Sequence, residues 1–442
     1  MYVMSIADIK AGLHTKYSHQ TIFLQATDEF LKSLEESGLA DDFSDEEFRR
    51  LERLLVPERI ISFRVDWIDD VGKLQSNIGY RVQFNSALGP YKGGLRFDAT
   101  VNEDVLKFLG FEQIFKNALT GLQLGGGKGG SDFNPKGKSD NEIRSFCQAF
   151  MVKLHHHIGL EKDVPAGDIG VGGREIGYLY GMYKLITNSD EGVLTGKDEL
   201  FGGSCQRTEA TGYGVVYFAE AMAMHHALEL KGMRAVVSGA GNVATYTALK
   251  LLDKGVTVLT LSDRGGYLHK PDGLTEKDIK HVSQDKNKGI ELKNCTVEGA
   301  IYNEGAVWGV EADAYFPCAT QNEMNEAAAK QVAKSAKLVV EGANMPLDAG
   351  AQKVMKEAGI LYAPGKAANA GGVSVSGIEM AQNAGHYAWT CEQIDGELQR
   401  IMQYIHLQCV ECGTEDGKVD YVKGANIAGF RRVFEAMRKL GW

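Results

Sequence analysis

The apolar pattern of this chain changes character partway along, and the change predicts an α/β protein of two domains. Up to about residue 204, helical segments give way to the two-residue alternation of paired strands. Beyond Gly202-Gly203-Ser204, short apolar strands and helices take turns, which is the order of a doubly wound parallel sheet. At 442 residues the chain is also too long for one ordinary core.

Residues 5–55 read as helices: Leu24, Phe30, Leu31 and Leu34 fall at helical spacing, and Ser44-Asp-Glu-Glu47 is an N-terminal capping pattern. Phe63, Val65 and Trp67 then alternate, as do Ile78, Tyr80, Val82 and Phe84, so two paired strands are expected around Asp69-Asp-Val-Gly72. Asn102 stands where it can cap a helix through Leu106, Leu109 and Ile114, which sets Gln113 and Lys116 about one turn apart. In the second half, an apolar strand from Arg234 runs into Gly239-Ala-Gly241-Asn-Val-Ala244, a helix over Thr245–Lys254 and a strand over Val256–Leu261 that delivers Asp263. Strand, glycine turn, helix and acid in this order form a dinucleotide-binding βαβ unit: glycines admit a pyrophosphate, the helix N-terminus stabilises it, and the acid reaches a ribose. Further strands at Ala314–Ala319, Leu338–Glu341 and Ile360–Ala363 alternate with helices. The loops beyond them carry Asn344 and Asn369 to the end of the sheet where such folds bind ligands, although either is also an ordinary turn residue.

Composition narrows the function. A formal net charge of −10 argues against nucleic acid or an anionic membrane as the main partner, and 53 glycines, about 12%, exceed the usual ~7% and point to many close backbone approaches. No stretch approaches the ~18 apolar residues of a membrane span, and Met1–Asp8 shows neither a basic nor an apolar leader region, so a cytoplasmic protein is expected. Seven cysteines, an odd number, suggest no disulfide framework; Cys409-Val-Glu-Cys412 reads as one face of a helix near 391–412. Adjacent residues on a helix diverge, so His155-His156-His157 is not read as a chelate, and no metal is expected.

The strongest chemical signal is Lys128, in Leu124-Gly-Gly-Gly-Lys-Gly-Gly-Ser131, a lysine with no bulky neighbour to shield its amine. Lys92 in Pro90-Tyr-Lys-Gly-Gly-Leu-Arg-Phe97, Lys116, and Asp168 in Val164-Pro-Ala-Gly-Asp168 join it if the fold gathers them. Crowded, buried ammonium groups depress one another's pKa, so one can serve as a base near pH 7 while the others pair with a dicarboxylate. The run is not a P-loop: Leu122 occupies the first glycine position and Gly129 replaces the hydroxyl residue. Ser376, after a double glycine, has a hydroxyl placed for an inter-domain cleft.

At this point the chain resembles the glutamate dehydrogenases of the hexameric, small-subunit type, within the Glu/Leu/Phe/Val dehydrogenase family. The motifs that carry the resemblance run in the family's order: Gly89-Pro-Tyr-Lys-Gly-Gly-Leu-Arg-Phe97, Gly110-Phe-Glu-Gln113, Gly125-Gly-Gly-Lys-Gly-Gly-Ser-Asp132, Pro165-Ala-Gly-Asp168, Glu209-Ala-Thr-Gly-Tyr-Gly214, Gly239-Ala-Gly-Asn-Val-Ala244 and Ala370-Gly-Gly-Val373. The resemblance implies reversible oxidative deamination of L-glutamate to 2-oxoglutarate and ammonium, with hydride passing to NADP (NAD possible), in a homohexamer. It implies a substrate-binding and assembly domain over 1–204, a Rossmann-type dinucleotide-binding domain over 205–419, and a C-terminal helix within 420–442 returning to the first domain.

Carried over residue by residue, the resemblance makes Lys128 and Asp168 the catalytic pair. Lys116 and Gln113 would hold the α-carboxylate end, Lys92 and Ser376 the distal carboxylate, and the backbone of Gly167 would complete the pocket. Thr211 and Asn242 are the implied cofactor contacts and Gly239 and Gly241 the phosphate turn; Val243 beside them, and Asn344 and Asn369 in the loops beyond the strands, are further candidate cofactor contacts. At the second strand's end, Asp263 suits a ribose 2′-hydroxyl whereas Ser262 and Arg264 suit a 2′-phosphate; the pair predicts a preference for NADP(H). The nearest alternative, a leucine- or phenylalanine-type dehydrogenase, shares Lys128 and Asp168 but would leave the Lys92 ammonium against an alkyl chain. A non-catalytic dinucleotide sensor should have lost Lys128 or Asp168, and both are present.

Overall fold

The computed structural model describes residues 4–442, and the chain divides into two compact units. The first takes in the chain up to Cys205 together with Ser376–Ile394 and Asn426–Trp442; the second comprises Gln206–Val375 and Asp395–Ala425.

The first unit begins with helices α1 (Ile6–Lys16), α2 (Thr21–Glu36) and α3 (Asp45–Leu54). Ser5 and Ser44 close capping boxes with Asp8 and Glu47, which satisfies first-turn N–H groups of α1 and α3. Strands β1 (Arg59–Ile68) and β2 (Leu74–Asn85) form the expected antiparallel pair. With β3 (Tyr91–Phe97), β4 (Gly126–Ser131) and β5 (Asp163–Gly167) they make a mixed sheet of order β1-β2-β4-β3-β5. Helix α4 (Glu103–Leu119) follows β3, α5 (Asp140–Leu154) follows β4, and α6 (Gly173–Thr187) follows β5. Asn102 caps α4 by accepting from Val105 N at 3.0 Å. Val65, Trp67, Leu95 and Phe97 pack with Phe133, Phe146, Phe150 and Leu179 in a core that α5 and α6 close. Helix α4 lies over β4: a Cβ on Gly126 would strike Ile114, and one on Gly110 would touch Val82 and the Lys128 stem.

The second unit contains α7 (Ala210–His225), β6 (Arg234–Val237), α8 (Asn242–Asp253), β7 (Thr257–Val258), β8 (Thr260–Ser262), β9 (Gly266–His269), α9 (Glu276–Asn287) and β10 (Ile301–Glu304). It continues with β11 (Ala314–Phe316), α10 (Glu326–Val332), β12 (Leu338–Val340), α11 (Ala349–Glu357), β13 (Leu361–Ala363) and the short α12 (Gly365–Ala368). The unit boundaries at 375, 394 and 425 fall inside α13 (Gly371–Gly385), α14 (Cys391–Gly413) and α15 (Tyr421–Leu440). Strands β13-β12-β11-β6-β7 form a parallel sheet whose order reverses between β6 and β11. The strand read over Val256–Leu261 is two strands: β7 pairs with β6, whereas β8 pairs antiparallel with β9 in a separate sheet. A side chain ends the first ladder, because Val237 N donates to Thr260 Oγ1 at 3.1 Å.

Two expectations need correction. Residues 376–394 group with the first unit, not with the second: Glu379 pairs with Lys197 at 2.8 Å, both side chains fully buried, and Ser204 Oγ donates to Gln382 Oε1 at 2.7 Å. The cysteines do pair once, since Cys205 and Cys391 form a disulfide with Cα atoms 5.5 Å apart. Their separation of 186 residues hides the pairing from any local motif. Residues 426–442 belong with the first unit, where Arg432 Nη2 donates to Gly121 O at 2.7 Å and Leu122 O at 2.9 Å. Among the described residues, no helix is long and apolar enough to cross a membrane.

Beneath β3, a buried ion pair ties three strands. Arg81 on β2 donates from Nε to Asp163 Oδ2 at 2.9 Å and from Nη1 to Gly93 O at 3.0 Å, and Gln83 Nε2 reaches Asp163 Oδ2 at 2.9 Å. Removing one partner leaves the other charge buried without its counter-ion. Arg81→Met is therefore predicted to cost about 3–5 kcal/mol of unfolding free energy in urea titration; a change below about 1 kcal/mol would show that the pair carries no positional load.

Candidate active site

Strand register assembles a cluster of charged side chains in the first unit. Pairing of β3 with β5 sets Leu95 opposite Gly167, so Arg96 falls beside Asp168, while pairing with β4 sets Arg96 opposite Gly130. Side chains alternate across a sheet, so Lys92, Gly94 and Arg96 share the face that carries Lys128. Lys128 Nζ lies 2.9 Å from Asp168 Oδ2, and Arg96 Nε donates to the same oxygen at 2.8 Å. Gly94 leaves room for the carboxylate, because a Cβ there would sit 2.8 Å from Asp168 Cβ. Gly167 is equally confined, its Cβ position lying 2.4 Å from Val171 O.

Lys92 is buried, and its Nζ donates to Thr195 Oγ1 at 2.7 Å. Gln113 Nε2 donates to Asn117 Oδ1 at 2.7 Å, and Asn117 Nδ2 in turn donates to Lys92 O at 3.0 Å, which locks α4 to β3. Lys116 follows Gln113 by one helical turn and shares its side of α4. Ser376 is buried in the same unit on α13; the next residue, Gly377, has its Cβ position 2.5 Å from Leu122 Cδ1, so this helix abuts the approach to β4. The predicted substrate-side residues thus all lie in one unit.

Burial pulls the Lys128 amine below its ordinary range, Asp168 opposes this, and the Arg96 charge adds to the lowering. For Asp168 burial acts upward, but the charges of Lys128 and Arg96 prevail and bring the carboxyl down to about 2. Asp168 is therefore an ionised acceptor across the physiological range, and Lys128 is the group of the pair that can change charge. Sequence reasoning missed Arg96 and Thr195. Arg96 was visible two and four residues beyond Gly94 and Lys92 on one strand face; Thr195 is brought to Lys92 only by the fold.

The second unit carries the dinucleotide turn. Gly239 adopts φ +86, a left-handed conformation, and its Cβ position is 3.2 Å from Ala244 Cβ and Ala319 Cα. Gly241 is the N-cap of α8 and supplies no side-chain cap to the first-turn N–H groups, and nothing lies within 4 Å of its Cβ position. Asn242 is held by donation to Thr208 O at 2.7 Å, and Val243 packs beneath Gly342. Thr211 Oγ1 lies 2.6 Å from where a Gly372 Cβ would be. Asn369 Nδ2 donates to Asn344 Oδ1 at 2.9 Å, and Asn369 Oδ1 is buried without a partner among the described residues. An orphaned carbonyl oxygen and an uncapped helix start at the order reversal of the sheet fit an amide-bearing dinucleotide.

At the end of β8 the acid is already engaged. Asp263 Oδ2 accepts from Lys286 Nζ at 3.1 Å and Leu292 N at 3.0 Å, and Oδ1 accepts from Gly265 N at 3.0 Å. Ser262 Oγ is turned inward, accepting from Gly239 N at 2.8 Å, while Arg264 is exposed. Lys286, on α9, is a cation the local reading missed. Among the described residues no cluster of His, Cys, Asp or Glu could hold a metal ion.

Removing hydride from a carbon that bears an amine needs an acid–base pair beside cations for the amino acid and a dinucleotide turn for the hydride acceptor, and the chain carries each. That class is the dinucleotide-dependent amino-acid dehydrogenases. The chain belongs to the Glutamate/Leucine/Phenylalanine/Valine dehydrogenase family, whose model matches residues 202–441, with the family's dimerisation-domain model matching 57–185. It is similar to the NAD(P)-specific glutamate dehydrogenase of Xylanibacter ruminicola, 51% identical over 99% of this chain and 100% of the relative. The NADP-specific glutamate dehydrogenase of Escherichia coli is 50% identical over 96% of this chain and 95% of its own. Among solved structures, Plasmodium falciparum glutamate dehydrogenase superposes with a TM-score of 0.96 at 49% identity, covering 99% of this chain and 94% of that one.

Gly94→Ala tests whether the lysine–aspartate contact matters. The new Cβ is predicted to push Asp168 off Lys128 and cut turnover at least about tenfold, leaving cofactor binding by fluorescence titration unchanged. Wild-type turnover in this variant would contradict that reading.

Proposed function

We propose that this protein is a glutamate dehydrogenase that interconverts L-glutamate and 2-oxoglutarate plus ammonium with NADP(H), and uses NAD(H) less well. The observation that carries the reading is Lys92: a buried ammonium on the same sheet face as Lys128, with Lys116 supplied by α4. Four cations, Lys92, Lys116, Lys128 and Arg96, against the single carboxylate of Asp168 suit a substrate with two carboxylates. An apolar amino acid would set methylenes against a buried charge, at a cost of several kcal/mol.

In this reading Lys116 and Gln113 hold the α-carboxylate, and Lys92 and Ser376 the distal one, with the Gly167 backbone closing the pocket. Asp168 takes a proton from the substrate ammonium, which makes the amine lone pair available. The nicotinamide, when bound, supplies or accepts the hydride. Lys128, as the free amine, then draws a proton from the water that attacks the iminium carbon. Gly239, Gly241, Asn242 and Val243 would hold the pyrophosphate, with Thr211, Asn344 and Asn369 as further contacts to the dinucleotide.

Asp263 is occupied by Lys286 and by backbone N–H groups, so it is a poor free acceptor for a ribose 2′-hydroxyl; Lys286 and Arg264 leave this edge positive. That supports NADP(H), as does the NADP-specific name of the Escherichia coli relative, while the NAD(P)-specific name of the Xylanibacter ruminicola relative supports use of both cofactors. The family's dimerisation domain supports an oligomer, for which we propose a homohexamer, working in the cytoplasm.

An assay at about 340 nm with 2-oxoglutarate and ammonium tests the reading directly. Lys128→Ala and Asp168→Asn are each predicted to lose more than tenfold in kcat, over about 1.4 kcal/mol, with cofactor affinity intact. Lys92→Leu should cost glutamate at least about 2 kcal/mol in kcat/KM, and adding Ser376→Val should favour norvaline or methionine. Unchanged substrate preference would place the distal carboxylate elsewhere.

Arg264→Ala is predicted to raise KM for NADPH about tenfold, or about 1.4 kcal/mol, and to leave NADH nearly unchanged. Equal effects on both cofactors, or a wild-type preference for NADH, would show that Asp263 sets the choice.

A further inference from the structure

A carboxylate 2.9 Å from a lysine ammonium is ordinarily a trap. It stabilises the lysine's proton, and if the lysine does lose that proton the carboxylate is left buried without a counter-charge. Lys128 has to escape this trap to act as a base, and a third group in contact with the pair supplies the means. Arg96 Nε donates at 2.8 Å to Asp168 Oδ2, the same oxygen that Lys128 Nζ approaches. Guanidinium does not deprotonate in this range, so its charge on Oδ2 is permanent.

We infer that Arg96 is a positioning residue for the reaction: its fixed charge keeps Asp168 ionised and oriented, so that Lys128 can give up its proton without leaving the carboxylate unpaired. The inference rests on the dehydrogenase reading above. With Oδ2 shared by the two cations, Oδ1 is the carboxylate oxygen left to meet the substrate amine. The division of labour follows from the three groups' chemistry: a guanidinium whose charge is fixed, an aspartate that rests ionised and holds a proton only in passing from the substrate amine, and a lysine that switches.

The charged groups that act on this switch are few. Lys128 feels Asp168 at the end of β5, Arg96 on β3 and Arg81 on β2, while α4 sets Gly110, not a charge, against the Lys128 stem. Asp168 feels Lys128 and Arg96. Arg96 also acts on Asp98 at the end of its own strand, where Thr100 already donates to the carboxylate at 2.7 Å. The backbone around Arg96 is closely packed, since a Cβ on Gly130 would lie 2.1 Å from Arg96 O and one on Gly94 would lie 2.8 Å from Asp168 Cβ.

The test is the pH profile of kcat for glutamate oxidation by the wild type, Arg96→Gln and Arg96→Lys, measured as full-length protein. In the wild type, kcat rises with pH as Lys128 becomes the free amine. Arg96→Gln removes a cation from beside Lys128, so the limb should move up by about one pH unit; kcat should fall about tenfold near neutral pH and recover to within about threefold at the alkaline plateau. Arg96→Lys retains the charge and should keep the limb within about a third of a unit of the wild type. KM for NADP should not move in either variant.

A uniform loss of kcat at every pH in Arg96→Gln, with the limb in place, would reduce Arg96 to a structural prop and overturn the inference. So would a limb that moves equally in Arg96→Lys. If Arg96→Gln shows no cooperative unfolding transition, Arg96→Lys decides alone: a limb at the wild-type position supports the inference and a limb raised by about one unit overturns it. Wild-type protein inert toward glutamate would refute the functional reading instead, which keeps the two failures distinct.

Discussion

Asp168 Oδ2 receives a lysine and an arginine at once, and much of what is unusual in the first unit makes that convergence possible. Strand β4 is glycine at every position but two, a poor composition for a strand, because glycine gives up backbone freedom and packs no side chain. The neighbours explain it. A Cβ on Gly129 would lie 2.8 Å from Leu95 Cδ2, and one on Gly130 would lie 2.1 Å from Arg96 O. Any larger residue would force β3 and β4 apart and carry Arg96 and Lys128 away from their common oxygen. The destabilisation accepted in this strand is the physical counterpart of a charge cluster held to within a few tenths of an ångström.

Two buried ion pairs support the cluster from behind. Arg81 and Asp163 bind β2 to β5 just upstream of Gly167 and Asp168, and Arg81 also holds Gly93 O between Lys92 and Gly94. Lys197 and Glu379 clamp the segment that carries Thr195: Glu379 Oε2 accepts from Gly196 N at 2.8 Å and Oε1 from Lys197 Nζ at 2.8 Å. Buried pairs of this kind add little net stability compared with apolar packing, but their geometry is exacting. Their location, one residue or a few from the groups that face the substrate, fits a role in placement.

What was legible in the sequence is what depends on neighbours along the chain. Periodicity revealed β1, β2 and α4, and the capping pattern at Ser44 and Asn102 located two helix starts, because those signals act within a turn or two. The βαβ unit was readable for the same reason, although its second strand proved to be two, broken where Thr260 takes over a ladder bond. Contacts set by tertiary approach were not readable. Thr195 meets Lys92 across 103 residues, Lys286 meets Asp263 across 23, and Cys205 meets Cys391 across 186. Arg96 is the instructive middle case: it stood inside a recognised motif on the correct strand face, yet its partner on another strand becomes evident only from the register of β3 with β5.

The account depends on Lys128 being a cation that can become an amine within reach of physiological pH. Competitive labelling with a small amine-specific reagent such as acetic anhydride, followed by mass-spectrometric quantification of Lys128 against exposed lysines over pH 6 to 11, measures that property without reference to turnover. The account predicts a titration midpoint for Lys128 well below the ~10.4 of an ordinary lysine, with exposed lysines at the usual value. A midpoint at or above that of the exposed lysines would mean that Asp168 holds the proton in place, contradicting the claim that Lys128 is the switching group.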